Sequence, residues 1–293
     1  MPKALVLGGA TGLLGKALMA TLKDRGWETG SLGREDGDIL NFDFIKTKLE
    51  EHDPDVIFNT IAWTQVDAAE DHQEEALELN RTFPDSLARS ICNREKGHLV
   101  HFSTDFVFSG VHAIPFKEDD PTHPENVYGE TKLEGEKVVL KILPERSCIL
   151  RTAWLFGPGR KNFVQTIIDA SKDRDQLSVV DDQVGSPTYT MDLALWSALL
   201  AEKRMTGVWH ASNSGQASWC ELALEAVNLA RESVRIEPIS SDQWPQKARR
   251  PKYTVLDNSK LTKFLGTKPR PWPTALRDYV YSNFKEIQGE NKR

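Results

Sequence analysis

The chain begins with an apolar run, Ala4-Leu5-Val6-Leu7, in which no polar residue alternates with the apolar ones. A short unbroken run of this kind reads as a strand buried on both faces. Leu18, Met19 and Leu22 then recur at helical spacing. The same alternation continues along the first half of the chain. Strands are expected at residues 28–32, 55–59 and 99–103, with helices at 44–51, 67–79 and 84–93 between them. A further helix holds residues 128–132, and a fifth strand covers 148–151. Strands that alternate with helices are joined by right-handed crossovers and form a parallel sheet with helices on both sides. The fold class is therefore α/β, a doubly wound parallel sheet. After about residue 155 the pattern loosens into turns and loops, such as Gly157-Pro158-Gly159 and residues 181–188. Ser218 and Glu221 have the spacing of a capping box for a helix reaching about residue 231, and an amphipathic helix runs from 274 to about 284.

Gly8-Gly9-Ala10-Thr11-Gly12-Leu13-Leu14-Gly15 stands between the first strand and the first helix. Glycines in such a turn let the backbone approach a pyrophosphate, which rests on the helix N-terminus. The spacing Gly9-x-x-Gly12-x-x-Gly15 is one residue wider than that of simple dehydrogenases, but the strand–turn–helix context is the one a dinucleotide fingerprint requires. This makes the sheet Rossmann-like. Residues 1–155 are expected to form the NAD(P)-binding unit, and 156–293 mainly a smaller α/β substrate-binding cap, with some later segments returning to the main sheet. Arg34 follows the second strand, where a carboxylate would bind a ribose diol and an arginine suits a 2′-phosphate. NADPH is therefore the expected carrier, with NADH as the alternative. Asp38 and Ile39 are candidates to clamp the adenine.

Ligands in open parallel sheets bind beyond the carboxyl ends of the strands. Three polar strand exits converge there: Asn59-Thr60-Ile61-Ala62, Ser103-Thr104-Asp105 and Arg151-Thr152-Ala153-Trp154. Tyr128 and Lys132 lie four residues apart, and on one helix they share a face. A phenol has a reference pKa of about 10, and an adjacent ammonium lowers it towards the range of a usable acid or base. Ser103 or Thr104 would hold the oxygen that exchanges the proton. Trp154 is a candidate aromatic wall for a sugar or base. Arg249 and Arg250 are candidates to contact a diphosphate from the cap.

Composition narrows the function classes. A formal net charge of −6 argues against a general nucleic-acid binder. No apolar run approaches a membrane span, and the first strand leaves no room for a signal peptide, so no membrane partner and a cytoplasmic location are expected. Cys92, Cys148 and Cys220 lack metal-like spacing and read as free thiols. The seven histidines show no ligand spacing either, so no catalytic metal is expected. Glu70, Asp71, Glu74 and Glu75 read as a solvated helix face.

With these residues in place, the chain resembles the extended short-chain dehydrogenase/reductases, and within them the dTDP-4-dehydrorhamnose reductase family. The resemblance covers nearly the whole length: the glycine fingerprint, residues 59–70 (NTIAWTQVDAAE), 103–108 (STDFVF), 128–132 (YGETK), 151–157 (RTAWLFG), Asn162-Phe163, 181–188 (DDQVGSPT) and 248–260. The segments STDFVF, RTAW and DDQVGSPT are more specific than the shared fingerprint. The resemblance implies that Tyr128 is the proton donor, that Lys132 holds the nicotinamide ribose while tuning the tyrosine, and that Thr104 binds the carbonyl. Gly12, Leu13, Leu14, Arg34, Asp38, Ile39, Ala62, Thr64 and Asn80 match its cofactor side, and Asp105, Phe106 and Trp154 its substrate side. The implied reaction reduces the 4-keto group of dTDP-4-dehydro-L-rhamnose.

Two departures stand out. Phe106 occupies a position where the family usually has tyrosine. Some members hold magnesium between subunits through glutamates, but the matching positions here are Ala17 and Met191, so a monomer or weak homodimer without that metal is expected. The alternatives are a reductase of another nucleotide-linked 4-keto-6-deoxysugar and an epimerase that keeps its NAD bound. A different class is a non-catalytic dinucleotide-binding subunit resembling the regulatory subunit of methionine adenosyltransferase.

Overall fold

The apolar runs become strands because helices cover both of their faces. The structure, a computed structural model, covers residues 1–110 and 113–284. Its first half runs Lys3–Leu7 (β1), Leu13–Asp24 (α1), Glu28–Leu32 (β2), Phe42–His52 (α2), Val56–Asn59 (β3), Val66–Ala69 (α3), Gln73–Leu77 (α4), Phe83–Cys92 (α5), His98–Thr104 (β4), Val127–Ile142 (α6) and Ser147–Thr152 (β5). The second half adds Leu155–Phe156 (β6), Phe163–Ser171 (α7), Gln176–Val180 (β7), Val184–Gly185 (β8), Thr188–Tyr189 (β9) and Thr190–Glu202 (α8). Gly207–His210 (β10), Ala217–Ser218 (β11), Trp219–Ala230 (α9), Arg235–Ile239 (β12), Ser259–Leu265 (α10) and Trp272–Asn283 (α11) complete it.

The main sheet has the order β10-β5-β4-β3-β1-β2, and every pair in it is parallel. Successive side chains on a strand point to opposite faces. Val6, Phe58, Val100 and Leu150 therefore join Leu18, Leu22, Leu193 and Trp196 from α1 and α8 in one core. Leu5, Ile57, Leu99 and Ile149 join Ile45, Leu49, Leu87, Ile91 and Val139 from α2, α5 and α6 in the other. Each such fully buried side chain contributes about 2 kcal/mol. Strand order reverses between β1 and β3, and the crevice beyond their carboxyl ends is where such sheets take ligands.

Three elements differ from the sequence expectation. A sixth strand, β10, adds to the sheet edge beside β5; four residues carry too little pattern to announce themselves. Helix α8 is apolar nearly all round because it is buried between the sheet and α1, so it lacks the polar face that marks an amphipathic helix. The helix expected over 67–79 breaks into α3, α4 and a π-turn, Glu78–Thr82, that runs directly into α5. An α-helix would need the residue-84 amide to reach the Asn80 carbonyl, and Pro84 has no N–H to donate. In the second half, α7, α9 and α11 surround Phe156, Tyr189, Trp272 and Tyr279, while β7 and β12 form a small parallel pair. The Ser218–Glu221 capping box starts α9, as expected.

Gly15 carries the tightest approach at the start of the fold: a Cβ there would lie 2.2 Å from the Gly8 carbonyl oxygen. Gly15→Ala is expected to force the turn open and to lower stability by about 1–3 kcal/mol, the usual cost of overpacking. Urea unfolding at neutral pH checks this, and an unchanged midpoint would show that the turn has slack.

Candidate active site

The glycine turn leaves the N-terminus of α1 open. Gly12 is its N-cap, no side chain accepts from the first helical amides, and the first turn holds no acidic residue. Leu14 turns into the core while Leu13 is half-buried, so both offer backbone N–H groups to this end. Gly9 packs against Met19 and Ser31, letting the turn lie flat on the helix. A cavity of about 250 Å³ opens beyond the end of β2, lined by Arg34, Asp38, Ile39, Leu79 and the carboxylate-bearing Glu75 and Glu78. Arg34 is exposed and has no ion pair among the described residues. Ala62 and Thr64 follow β3 at the same edge. Asn80, fully buried in the π-turn, accepts from Trp63 N at 2.9 Å and donates to Trp63 O and to Thr131 Oγ1 at 3.2 and 3.0 Å. Its side chain thus clamps the loop bearing Ala62 and Thr64 onto α6.

Helix α6 starts where Asn126 accepts from Gly129 N, at 2.8 Å, and Glu70 accepts from Val127 N, at 3.0 Å. Glu70 is thus a helix cap rather than part of the expected solvated face. These caps set Tyr128 in the first turn and Lys132 one turn later, as the spacing required. Lys132 Nζ is buried and donates to Phe102 O on β4 at 2.6 Å. Burial lowers the Lys132 pKa to about 8, against the opposing charge of Glu136. The phenol of Tyr128 moves the other way. Burial pushes it up to about 12, and the hydrogen-bonding Thr104 hydroxyl opposes this only in part. The expected lowering by Lys132 does not emerge, since Lys132 is not among the groups that shift the phenol; the charge of Asp105 adds to the rise, and Tyr128 holds its proton at neutral pH.

Of the two hydroxyls at the end of β4, Thr104 faces the phenol. Ser103 Oγ is buried elsewhere without a partner. Thr104 accepts from Phe106 N at 3.2 Å and donates to Asp105 Oδ1 at 3.1 Å. Asp105 is 2 % exposed and its other oxygen accepts from Thr254. Phe106 meets the Tyr128 ring edge-on at 5.8 Å. Trp154 is half-buried with φ 47°, an uncommon left-handed conformation for a bulky residue, and lies flat on Trp219 at 3.6 Å. Arg249 is largely exposed and lies 3.3 Å from a Glu125 carboxylate oxygen. Arg250, the other diphosphate candidate, is committed to both carboxylate oxygens of Asp67; together with the amides of Ala248 and Lys247 it holds Asp67 down at a pKa of about 2. Arg151, at the third polar strand exit, forms a buried bidentate pair with Glu136 and does not face the crevice as a free donor.

Thr254, Trp219 and Glu136 did not stand out in the sequence. Glu136 follows Lys132 at helical spacing, which is a usable signal; the other two reach the site only through long-range folding. Ala17 is buried in the core between α1 and α8, with Met191 packed partly buried against it. Among the described residues, no group of three or more His, Cys, Asp or Glu side chains could hold a metal ion, and no helix is long and apolar enough to cross a membrane.

A parallel sheet with an open glycine turn and a Tyr–Lys pair at the next crevice defines an extended short-chain dehydrogenase/reductase. Comparison narrows this further. The profile of the RmlD substrate binding domain matches residues 3–284. A dTDP-4-dehydrorhamnose reductase of Streptomyces griseus is 41% identical over 284 residues, covering 94% of this chain and 92% of that protein. A dTDP-4-keto-6-deoxy-D-glucose reductase of Streptomyces niveus is 37% identical, covering 92% and 93%. The solved dTDP-4-dehydrorhamnose reductase of Bacillus anthracis, in complex with NADP, superposes with a TM-score of 0.92 at 31% identity, covering 97% of this chain and 100% of that one. The chain belongs to the dTDP-4-dehydrorhamnose reductase family.

Burial raises the Asp105 pKa to about 6, despite the hydrogen bonds that lower it. The unfolded value is about 3.9, so the folded state binds the extra proton between roughly pH 4 and 6. Stability from this group is therefore present at low pH and is lost as pH rises through that window, by about 3 kcal/mol. Asp105→Asn removes the effect. Relative to the parent, it is expected to gain about 3 kcal/mol in urea unfolding between pH 4 and pH 7.5. An unchanged difference would show that Asp105 does not titrate there.

Proposed function

We propose that the chain reduces the 4-keto group of dTDP-4-dehydro-L-rhamnose to give dTDP-L-rhamnose with NADPH, in the cytoplasm. The observation that carries the reading is the convergence of Tyr128, Thr104 and Lys132 at the carboxyl end of β4, at the same edge of the parallel sheet as the open glycine turn. Membership of the family, and relatives named for 4-keto reduction of dTDP-sugars, support it.

The glycine turn fits a dinucleotide, because a Cβ at Gly12 or Gly15 would fill the space against the Gly8 carbonyl. Gly9, Gly12, Leu13 and Leu14 would hold the pyrophosphate, Asp38 and Ile39 the adenosine, and Arg34 the 2′-phosphate. Ala62 and Thr64 would line the middle, held in place by Asn80. NADPH, when bound there, supplies the hydride to sugar C4. Tyr128 delivers its proton to the C4 oxygen, and Thr104 fixes the position of that oxygen. Lys132 holds the nicotinamide ribose, and its positive charge stabilises the phenolate that Tyr128 becomes. Phe106, Trp154 and Arg249 line the sugar-nucleotide side, with mainly residues 156–293 as the cap.

A reductase of a different dTDP-4-keto-6-deoxysugar is the second reading. Phe106 favours it by removing a hydroxyl from the sugar side, and the Streptomyces niveus relative is named for another sugar.

Loss of NADPH absorbance with a panel of dTDP-4-keto sugars tests both readings. Turnover is expected with dTDP-4-dehydro-L-rhamnose, and none with any member would sink them. Tyr128→Phe is expected to lower kcat at least about 100-fold while NADPH binding, read by fluorescence titration, stays nearly unchanged. Arg34→Ala should raise KM for NADPH about 10-fold and leave KM for NADH alone, since only the former loses a charge-assisted contact. An equal change for both cofactors would remove Arg34 from the 2′-phosphate. Turnover should fall as pH rises through about 8, where Lys132 gives up its charge.

A further inference from the structure

Thr254 is the point at which the second half of the chain reaches the proton-transfer end of the site. It is 2 % exposed, and its hydroxyl donates to Asp105 Oδ2. The segment around it is pinned on both sides. Thr254 N donates to Val184 O at 2.9 Å, Leu256 N donates to Ser186 Oγ at 3.0 Å, and Phe116 N donates to Val255 O at 2.8 Å. Thr254 therefore has little freedom to move away from the carboxylate.

The hydrogen bonds at Asp105 and Thr104 have a direction. Ionised Asp105 only accepts, so the single hydrogen of Thr104 points to Oδ1 and that of Thr254 to Oδ2. The Thr104 oxygen accepts from Phe106 N and faces the Tyr128 phenol. In this arrangement the Thr104 hydrogen is turned away from Tyr128. The C4 carbonyl oxygen only accepts, so Thr104 can hold it only by turning that same hydrogen from Asp105 to the sugar. Turning it would strip a buried carboxylate of one partner, which is costly unless another remains. Thr254 is that other partner.

We propose that Thr254 is a positioning residue for proton transfer: by holding Asp105 it allows the Thr104 hydroxyl to turn its hydrogen from the carboxylate to the C4 oxygen as Tyr128 gives that oxygen its proton. The inference rests on the reductase reading above. In the step itself, hydride adds to C4 and the carbonyl π pair passes to oxygen. The Tyr128 O–H bond breaks, a sugar O–H bond forms, and the phenolate later regains a proton from solvent. The hydrogens of Thr104 and Thr254 stay on their own oxygens throughout.

Thr254→Val keeps the branched shape and removes only the hydroxyl, whereas Thr254→Ser keeps the hydroxyl. With dTDP-4-dehydro-L-rhamnose and NADPH, Thr254→Val is expected to lower kcat about 10-fold, leave both KM values within about two-fold and raise the solvent deuterium isotope effect on kcat. Thr254→Ser is expected to stay within about two-fold of the parent kcat. A wild-type kcat in Thr254→Val, a kcat loss that serine does not rescue, or an unchanged isotope effect would overturn the inference and leave Thr254 a packing residue. Should the valine variant fail to fold, Thr254→Cys, a similar shape with a weak donor, carries the same comparison. Failure of the reductase reading is distinguishable, because the parent enzyme itself would then turn over no dTDP-4-keto sugar, and the inference would fall with it.

Discussion

Helix α6 meets the end of β4 at backbone distance. A Cβ at Gly129 would sit 2.3 Å from the Phe106 carbonyl oxygen, and Lys132 Nζ donates to the Phe102 carbonyl. Tyr128 immediately precedes the first of these contacts and stands one turn before the second, so its ring has little choice of position. The same seating brings Thr131 to Asn80 and thereby ties the exit of β3 to the exit of β4. Were α6 to sit farther from the sheet, Tyr128 would leave Thr104, and Ala62 and Thr64 would lose their support. The capping of α6 by Asn126 and Glu70 belongs to this constraint, since the first turn of the helix is the turn that carries the tyrosine.

Burial, more than pairing, sets the electrostatics of the site. It raises the phenol of Tyr128 and the carboxyl of Asp105 and lowers the ammonium of Lys132. These shifts bring Lys132 and Asp105 towards neutral pH and keep Tyr128 protonated. The Glu136–Arg151 pair is a structural counterpart one turn below Lys132. Both members are buried and bidentate, so removing either alone would leave a bare charge inside the protein.

The second half of the chain does more than extend the sheet. Its loops tie back to the sheet domain at chosen points: Arg250 to Asp67, Lys247 to Asp71, Asn126 to the Arg249 carbonyl and Thr254 to Asp105. Trp154 is held in its left-handed backbone conformation while lying on Trp219, a residue of α9. An unfavourable local conformation of this kind persists only where surrounding packing over-determines it. The Trp154–Trp219 stack is therefore the product of two distant parts of the chain.

Local chemistry made much of this legible in the sequence. Unbroken apolar runs marked β1, β3, β4 and β5, because a strand covered on both faces cannot alternate. The glycine turn, Tyr128 and Lys132 were readable because each depends on spacing within one or two turns of backbone. Other features escaped for equally physical reasons. Strand β10 is too short to show a period, and α8 has no polar face to reveal one. Proline at 84 marked the break between helices, but only the folded chain turned it into a π-turn that places Asn80. Glu70 as a helix cap, Arg250 as the partner of Asp67, and Thr254 on Asp105 all join residues more than fifty positions apart in the chain. Sequence periodicity carries no record of such pairs. They exist because folding removes these groups from water, and a polar group out of water must find its partner wherever the chain has brought one.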